Sequence, residues 1–257
     1  MDLSNIQVLV LAGQRAGVVD PLCEAFGVDF KVETSLLGRP MLSWVEATLT
    51  DVGLSQPYRI SGYNPGHKGW LETESGDGPA DSALKALRNI DRHCLMTTGD
   101  HPLLTPKMIY EFIGLSQESE SDFCVGLVTE KVIKQAYPKT KRTYLRFSDE
   151  AVSGCNLFYI RNREGLKALE FWRDVQHLRK QPLKLARKVG VGIGLRFASG
   201  RLSLGQAFKE AGDKIGIQAS PILLSDAEAA IDVDKVSDHT IVEEILRQRG
   251  TAIREQV

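Results

Sequence analysis

Four short stretches carry side chains suited to phosphate chemistry. In "VLVLAGQRAG" an apolar run breaks into Gly13 and Gly17, with Arg15 between them. A strand, a glycine-containing loop and a helix in succession leave backbone N–H groups facing an anion, and an arginine adds a fork matched to phosphate oxygens. The loop has neither the GK[ST] ending of a Walker loop nor the GxGxxG of a dinucleotide fingerprint, so by itself it also reads as a tight turn with a solvent-facing arginine. In "FKVETSLLGRP", Lys31 stands among apolar and small residues ahead of a turn; alone it is indistinguishable from a solvated charge. "MTTGDHPLL" sets Asp100 at the carboxyl end of an apolar run, with Gly99 allowing close approach of a ligand and Pro102 fixing the turn after it. Ligands of open α/β sheets bind outside the carboxyl ends of the strands, and a carboxylate there suits Mg²⁺; a turn or capping aspartate is the other reading. In "IDVDKVSD", Asp232 and Asp234 alternate on what reads as a strand end, so only one of them should face the crevice easily. A second carboxylate beside Asp100 would complete a magnesium site.

The elements that must position these residues follow an alternating β/α pattern, which predicts a mostly parallel sheet with helices packed on it. Gln7–Leu11 is a continuous apolar run of the kind buried on both faces. Pro40–Gly53 reads as a helix with proline at its first position, and "GPADSALKALRNI" as another with Asp81 as a possible N-cap. Thr105 and Pro106 open a third helix before the strand "DFCVGLV". The charged segment "TEKVIKQAYPKTKRTYLRFSD" predicts a small antiparallel excursion, "SGCNLFYIR" a strand, and Glu164–Arg179 a long helix. "IQASPILL" is a last strand, and Asp238 a capping residue for the final helix. The expectation is one domain over 1–257 with a helical, basic insertion at about 163–212.

A chain of 257 residues with 42% hydrophobic content can bury a full core, and a formal charge of -1 argues against non-specific nucleic-acid binding. The four cysteines (Cys23, Cys94, Cys124 and Cys155) form no CxxC pair, which argues against a metal cluster or a disulfide framework. No basic n-region precedes the first apolar run, and no stretch approaches the ~20 apolar residues of a membrane span. Together these predict a soluble, cytoplasmic protein. The five histidines show no metal-ligand spacing, although His101 adjoins Asp100.

The blocks "VLVLAGxR…G", "FKVETSLLGRPML", "GPADSALKAL", "LMTTGDHPLLTP", "SGCNLFYIR" and "IDVDKVSD", in that order across almost the whole chain, resemble the MobA-like NTP transferase family. These are nucleotidyltransferases related to molybdenum-cofactor guanylyltransferase and to sugar-phosphate nucleotidyltransferases. The resemblance implies a Rossmann-like, glycosyltransferase-A-type three-layer α/β sandwich, and transfer of a nucleotidyl group from CTP or GTP to a phosphorylated acceptor with release of pyrophosphate. Residue by residue it implies that Leu11, Ala12, Gly13, Arg15 and Gly17 form the triphosphate loop. The family's opening motif has a methionine that is missing here, and the loop is shorter. Lys31 matches the family lysine that reaches the phosphates. Asp100 matches a metal ligand, as does Asp234, with Asp232 as the alternative. Pro79, Ala80, Ser82 and Gly99 fall on the nucleotide side, and Asn156 on the acceptor side.

An acceptor phosphate is already ionised near neutral pH, so such a transfer needs positioning and charge neutralisation rather than a general base. The basic cluster Lys134, Lys139, Lys141 and Arg142, interleaved with Tyr137 and Tyr144, could grip that phosphate or be a solvated loop. The basic, glycine-rich segment 183–204 reads as a lid, a dimer contact or a peripheral membrane-facing cover. Two other readings stay open. An NDP-sugar-dependent glycosyltransferase would need a mid-chain DxD motif, whereas "DVD" lies only near the C-terminus. A non-catalytic nucleotide-binding protein of the same fold would account for the shortened loop.

Overall fold

The computed structural model describes residues 3–14, 17, 19–138, 140, 142–176, 188 and 190–255. The first strand, β1 (Ile6–Leu11), shows why its apolar run is unbroken. Its side chains alternate between the two sheet faces. Ile6, Val8 and Val10 join one core, while Leu9 and Leu11 join the other. Four further strands share its sheet as β4 (Tyr58–Ser61), β5 (Trp70–Thr73), β6 (His93–Thr98) and β7 (Phe123–Thr129). These are completed by β8 (Leu145–Arg146), β9 (Ala151–Ile160) and β10 (Ala219–Leu223), in the order β10-β7-β9-β6-β1-β4-β5 with β8 paired to β9. All pairings are parallel except those of β9, which runs antiparallel to β6, β7 and β8. A separate antiparallel ribbon joins β2 (Ser35–Leu36) to β3 (Arg39–Pro40).

Helices cover both faces. On one, α2 (Met41–Asp51) and α4 (Pro106–Glu118) pack Leu49, Ile109 and Phe112 onto the sheet. On the other, α3 (Pro79–Ala86) and α6 (Leu166–Val175) contribute Ala83 and Leu169, and Trp172 stacks on Phe158 of β9 with centroids 5.7 Å apart. A third apolar cluster ties α1 (Pro21–Phe26) to the C-terminal helix α9 (Val236–Glu255) through Leu22, Val242 and Ile245. Between β9 and β10 stand α7 (Val191–Ala198) and α8 (Leu204–Ile215).

Five expectations change. Asp238 does not cap the final helix but lies in its first turn, accepting from the Asp234 N–H at 3.2 Å. Glu130–Ala136 is a helix, α5, because Thr129 caps it by accepting from the Val132 N–H; among the described residues after that helix in the segment only Leu145–Arg146 forms an antiparallel strand. Asp81 does not cap α3, whose N-cap is Gly78 with Pro79 following. Instead it lies in the first turn, accepting from the Asp77 N–H. Pro40 precedes α2 as the end of β3 rather than opening the helix. The segment 231–235 is not a strand, so the alternation expected for Asp232 and Asp234 does not apply to it. Arg15, Lys139, Lys141 and 183–187 lie outside the described residues. Among the described residues no helix is long and apolar enough to cross a membrane.

Candidate functional site

The parallel strands β1, β4 and β6 end in register, with Leu11 beside both Ser61 and Thr98, so the loops after them meet at one edge of the sheet. The Ala12 N–H donates to the Ser61 carbonyl at 2.9 Å, and the Gly99 N–H donates to the Leu11 carbonyl at 2.9 Å. This carries the ladders one step past the strands. Gly99 is needed there for space. A Cβ on it would stand 2.7 Å from Val32 Cγ1, and Val32 belongs to a 3-10 turn, Lys31–Glu33. Without a side chain at 99 that turn lies flat on the end of β6, which delivers Lys31 to Asp100.

The Lys31 ammonium donates to Asp100 Oδ2 at 2.6 Å and to Asp234 Oδ1 at 2.6 Å. Lys31 and Asp100 are largely covered, whereas the Asp234 side chain is 65% exposed. Burial works against the lysine's charge, but the two carboxylates outweigh it and raise its pKa above the ordinary value. A backbone bond from the Val233 N–H to the Asp100 carbonyl, 3.0 Å, pins 231–235 beside β6. Asp100, Asp232 and Asp234 each offer an oxygen within 4.8 Å of the others. Asp232 and Asp234 thus both reach Asp100, which a strand would have prevented.

Asp232 is clamped from the other side. Arg142 donates to its Oδ1 at 2.6 Å and to its backbone carbonyl at 3.3 Å, and the Asn156 amide donates to Oδ2 at 2.9 Å. Burial raises the Asp232 pKa, as do the Asp100 and Asp234 charges, with Arg142 opposing them. Asn156 reaches this place through an irregularity in β9. Between the Val125–Phe158 and Leu127–Gly154 pairs, β9 has Cys155, Asn156 and Leu157 opposite Gly126 alone, and Asn156 takes a left-handed φ of 52°. Asparagine tolerates that region better than other side chains. Beneath Asp232, His101 is buried at 1% exposure, and burial lowers its pKa.

A cleft of about 420 Å³ opens between the β1 loop (Leu11–Gln14, Asp20 and Pro21) and Lys31, Val32, Asp100 and Asp234. Gln14 anchors the loop by donating to the Asp29 carbonyl at 2.5 Å. Asp20 caps α1 by accepting from the Leu22 N–H at 2.9 Å. Gly17 has a φ of 72°. Pro79, Ala80 and Ser82 stand at the same edge beyond β5, where Ala80 is fully buried and the Ser82 hydroxyl accepts from the Gly76 N–H at 2.9 Å. Within the basic cluster, Lys134 pairs with Glu130 and Tyr137 donates to Glu228. Three contributors escaped sequence reasoning: Gln14, Asp20 and Gly62, on which a Cβ would stand 2.2 Å from Gly13 Cα in the β1 loop. The Asp20–Pro21 pair is a helix-start signal in retrospect, whereas nothing local marks Gly62.

The family model for the MobA-like NTP transferase domain matches residues 8–187. A hypothetical transferase from Thermus thermophilus superposes with a TM-score of 0.78 at 32% identity, over 92% of this chain and 99% of that one. A 4-diphosphocytidyl-2C-methyl-D-erythritol synthase from Anaerococcus prevotii superposes at 0.56 with 8% identity, over 96% and 100%. A CMP:2-keto-3-deoxy-manno-octonic acid synthetase, solved with CTP, does so at 0.53 with 12% identity over the same shares. The last two share the fold. No curated protein matches the sequence.

Proposed function

Because the chain belongs to the MobA-like NTP transferase family, we propose that it is a Mg²⁺-dependent nucleotidyltransferase. It moves an NMP group from CTP or GTP to a small phosphorylated acceptor, a sugar, polyol or alcohol phosphate. The observation that carries the reading is the meeting of Lys31, Asp100 and Asp234, from positions far apart in sequence, at the mouth of a cleft bounded by the β1 loop.

The donor set fits a hard divalent cation. Asp100 Oδ1 is buried without a hydrogen-bond partner, and two further carboxylates lie within reach. Asp100 and Asp234 would hold the ion, with Asp232 as the alternative ligand. Bound there, Mg²⁺ supplies positive charge to the phosphate oxygens of the nucleotide.

The chain's own groups do the rest. Amides of the β1 loop face the triphosphate, Arg15 is assigned to the same phosphates from the family resemblance alone, and Lys31 neutralises phosphate charge. Gly99 lets the backbone approach closely, and the start of α3 at Pro79–Ser82 borders the base. An ionised acceptor oxygen attacks the α-phosphorus; the new P–O bond forms as the bond to the β-phosphate oxygen breaks, and pyrophosphate leaves with that electron pair. No protein base is required. Arg142 and Asn156 are assigned to the acceptor side, where their hold on Asp232 supports the reading, and Lys141 is assigned there from the sequence alone.

A thermal-shift comparison of the four NTPs, each with Mg²⁺, tests the donor. CTP or GTP should raise the midpoint by mass action, with CTP first in line given the two cytidylyl neighbours. Equal small shifts from all four would count against the assignment.

A further inference from the structure

Lys31 faces two incompatible demands. Its ammonium stands at 2.6 Å from one oxygen each of Asp100 and Asp234, the carboxylates assigned above to the divalent cation. The same ammonium is assigned to the phosphates of the nucleotide. An ammonium has three donors, and two are committed to these carboxylates. Sitting between the two oxygens, it also takes the position from which a cation would bridge them.

We propose that Lys31 is a built-in counter-cation of the acidic group, which a divalent ion displaces only when a triphosphate is present to receive the lysine. Nucleotide and metal then enter together, and the protein alone binds divalent cations weakly. This rests on the metal and nucleotide assignment made above.

The surroundings suit such an exchange. The backbone of Lys31 is fixed, because its 3-10 turn packs Val32 over Gly99. The four-carbon stem leaves the head free to change partners without moving that turn. Asp100 is fixed through its own carbonyl, whereas Asp234 is largely exposed and can follow either cation. Asp232 has both carboxylate oxygens engaged by Arg142 and Asn156, so it does not offer the metal an easier place.

The charges point the same way. Three carboxylates against Lys31 and Arg142 leave one net negative charge in the cluster, a weak attraction for a dication beside an unmoved ammonium. Transfer of the ammonium to a polyanion removes that repulsion and frees two oxygens at once. A water-exposed lysine would impose no such order, but this one is only 15% exposed.

The test is isothermal titration of Mn²⁺, without nucleotide, into the wild type, Lys31→Met, Lys31→Arg and Asp100→Asn. Lys31→Met should bind Mn²⁺ about tenfold tighter than the wild type, a usual size for coupling between neighbouring sites. Lys31→Arg keeps the charge and should stay as weak as the wild type. Affinity for the nucleotide with Mg²⁺ should fall in Lys31→Met, so that one substitution moves the two affinities in opposite directions. Lys31→Gln, which retains a donor for Asp100, replaces the methionine variant if that one does not fold. Equal or weaker Mn²⁺ binding by a folded neutral variant, with binding still dependent on Asp100, would overturn the displacement alone. Mn²⁺ binding unaffected by Asp100→Asn would overturn the metal site itself, and the inference with it.

Discussion

Replacing Gly62 by alanine should unseat the loop that follows β1. Gly62 has a φ of 88°, and a Cβ built on it would lie 2.2 Å from Gly13 Cα and 2.6 Å from Gly13 N. Both contacts are with backbone, so no side chain can rotate away. The left-handed conformation costs an L-residue about 1–2 kcal/mol, and relieving an overpacked contact about 1–3 kcal/mol more. Lower entropy of the unfolded chain returns roughly 0.4–1 kcal/mol. The net loss is about 1–4.5 kcal/mol, which in a chain of this size lowers the melting temperature by on the order of 10 °C. Gly13→Ala is the control, because its Cβ would meet Gly62 Cα at 3.4 Å, an ordinary contact, and Gly13 has no positive φ. Its stability should stay within about 1 kcal/mol of the wild type. Urea denaturation of both variants decides the matter, with nucleotide affinity measured below the melting range to register displacement of the loop. Equal stability of Gly62→Ala and Gly13→Ala would refute the claim that the two loops are interlocked at this point.

Asn156→Ala combines a left-handed alanine with loss of the bond to Asp232, and should cost about 1–3 kcal/mol in denaturation; Asn156→Gly relieves the backbone and should cost less. Equal losses would mean that the φ of 52° is not a constraint. Burial pushes the Cys94 thiol up to about 12, and all four cysteines are buried. Ellman's reagent at pH 8 should therefore react slowly with the folded protein and rapidly after denaturation; fast stoichiometric labelling of native Cys94 would contradict this burial.

Much of the scaffold could be read from local signals. The unbroken apolar run of β1 announced a strand buried on both faces, the apolar segments of β6 and β7 announced strands, and Thr105–Pro106 marked the start of α4, where the Thr105 hydroxyl accepts from the Met108 N–H. Lys31, Asp100 and Asp234 are each ambiguous singly, and their order along the chain relative to a known family is what raised them together. What escaped depends on contacts distant in sequence. Asp232 and Asp234 looked like a strand end because the pattern IDVD alternates, but the segment bonds the Asp100 carbonyl through the Val233 N–H alone and forms no ladder. Glu130–Ala136 has charge and β-formers that suggested strand, and a threonine cap with an i,i+4 pair from Glu130 to Lys134 turned it into helix. Arg142 and Asn156 showed their types but not their target, since Asp232 lies 90 and 76 positions away from them and Asn156 meets it only through a bulge in β9. Gly62 is silent in sequence because its necessity comes from Gly13, 49 positions earlier.

The account depends most on nucleotidyl transfer at Asp100. Pyrophosphate release by the wild type and by Asp100→Asn, with CTP or GTP, Mg²⁺ and a panel of sugar, polyol and alcohol phosphates, tests that directly. Acceptor-dependent pyrophosphate is expected from the wild type, with a fall of about 100-fold or more in the folded variant, the scale of losing one main electrostatic stabiliser. Undiminished turnover by Asp100→Asn, or no pyrophosphate from the wild type with any acceptor, would contradict it.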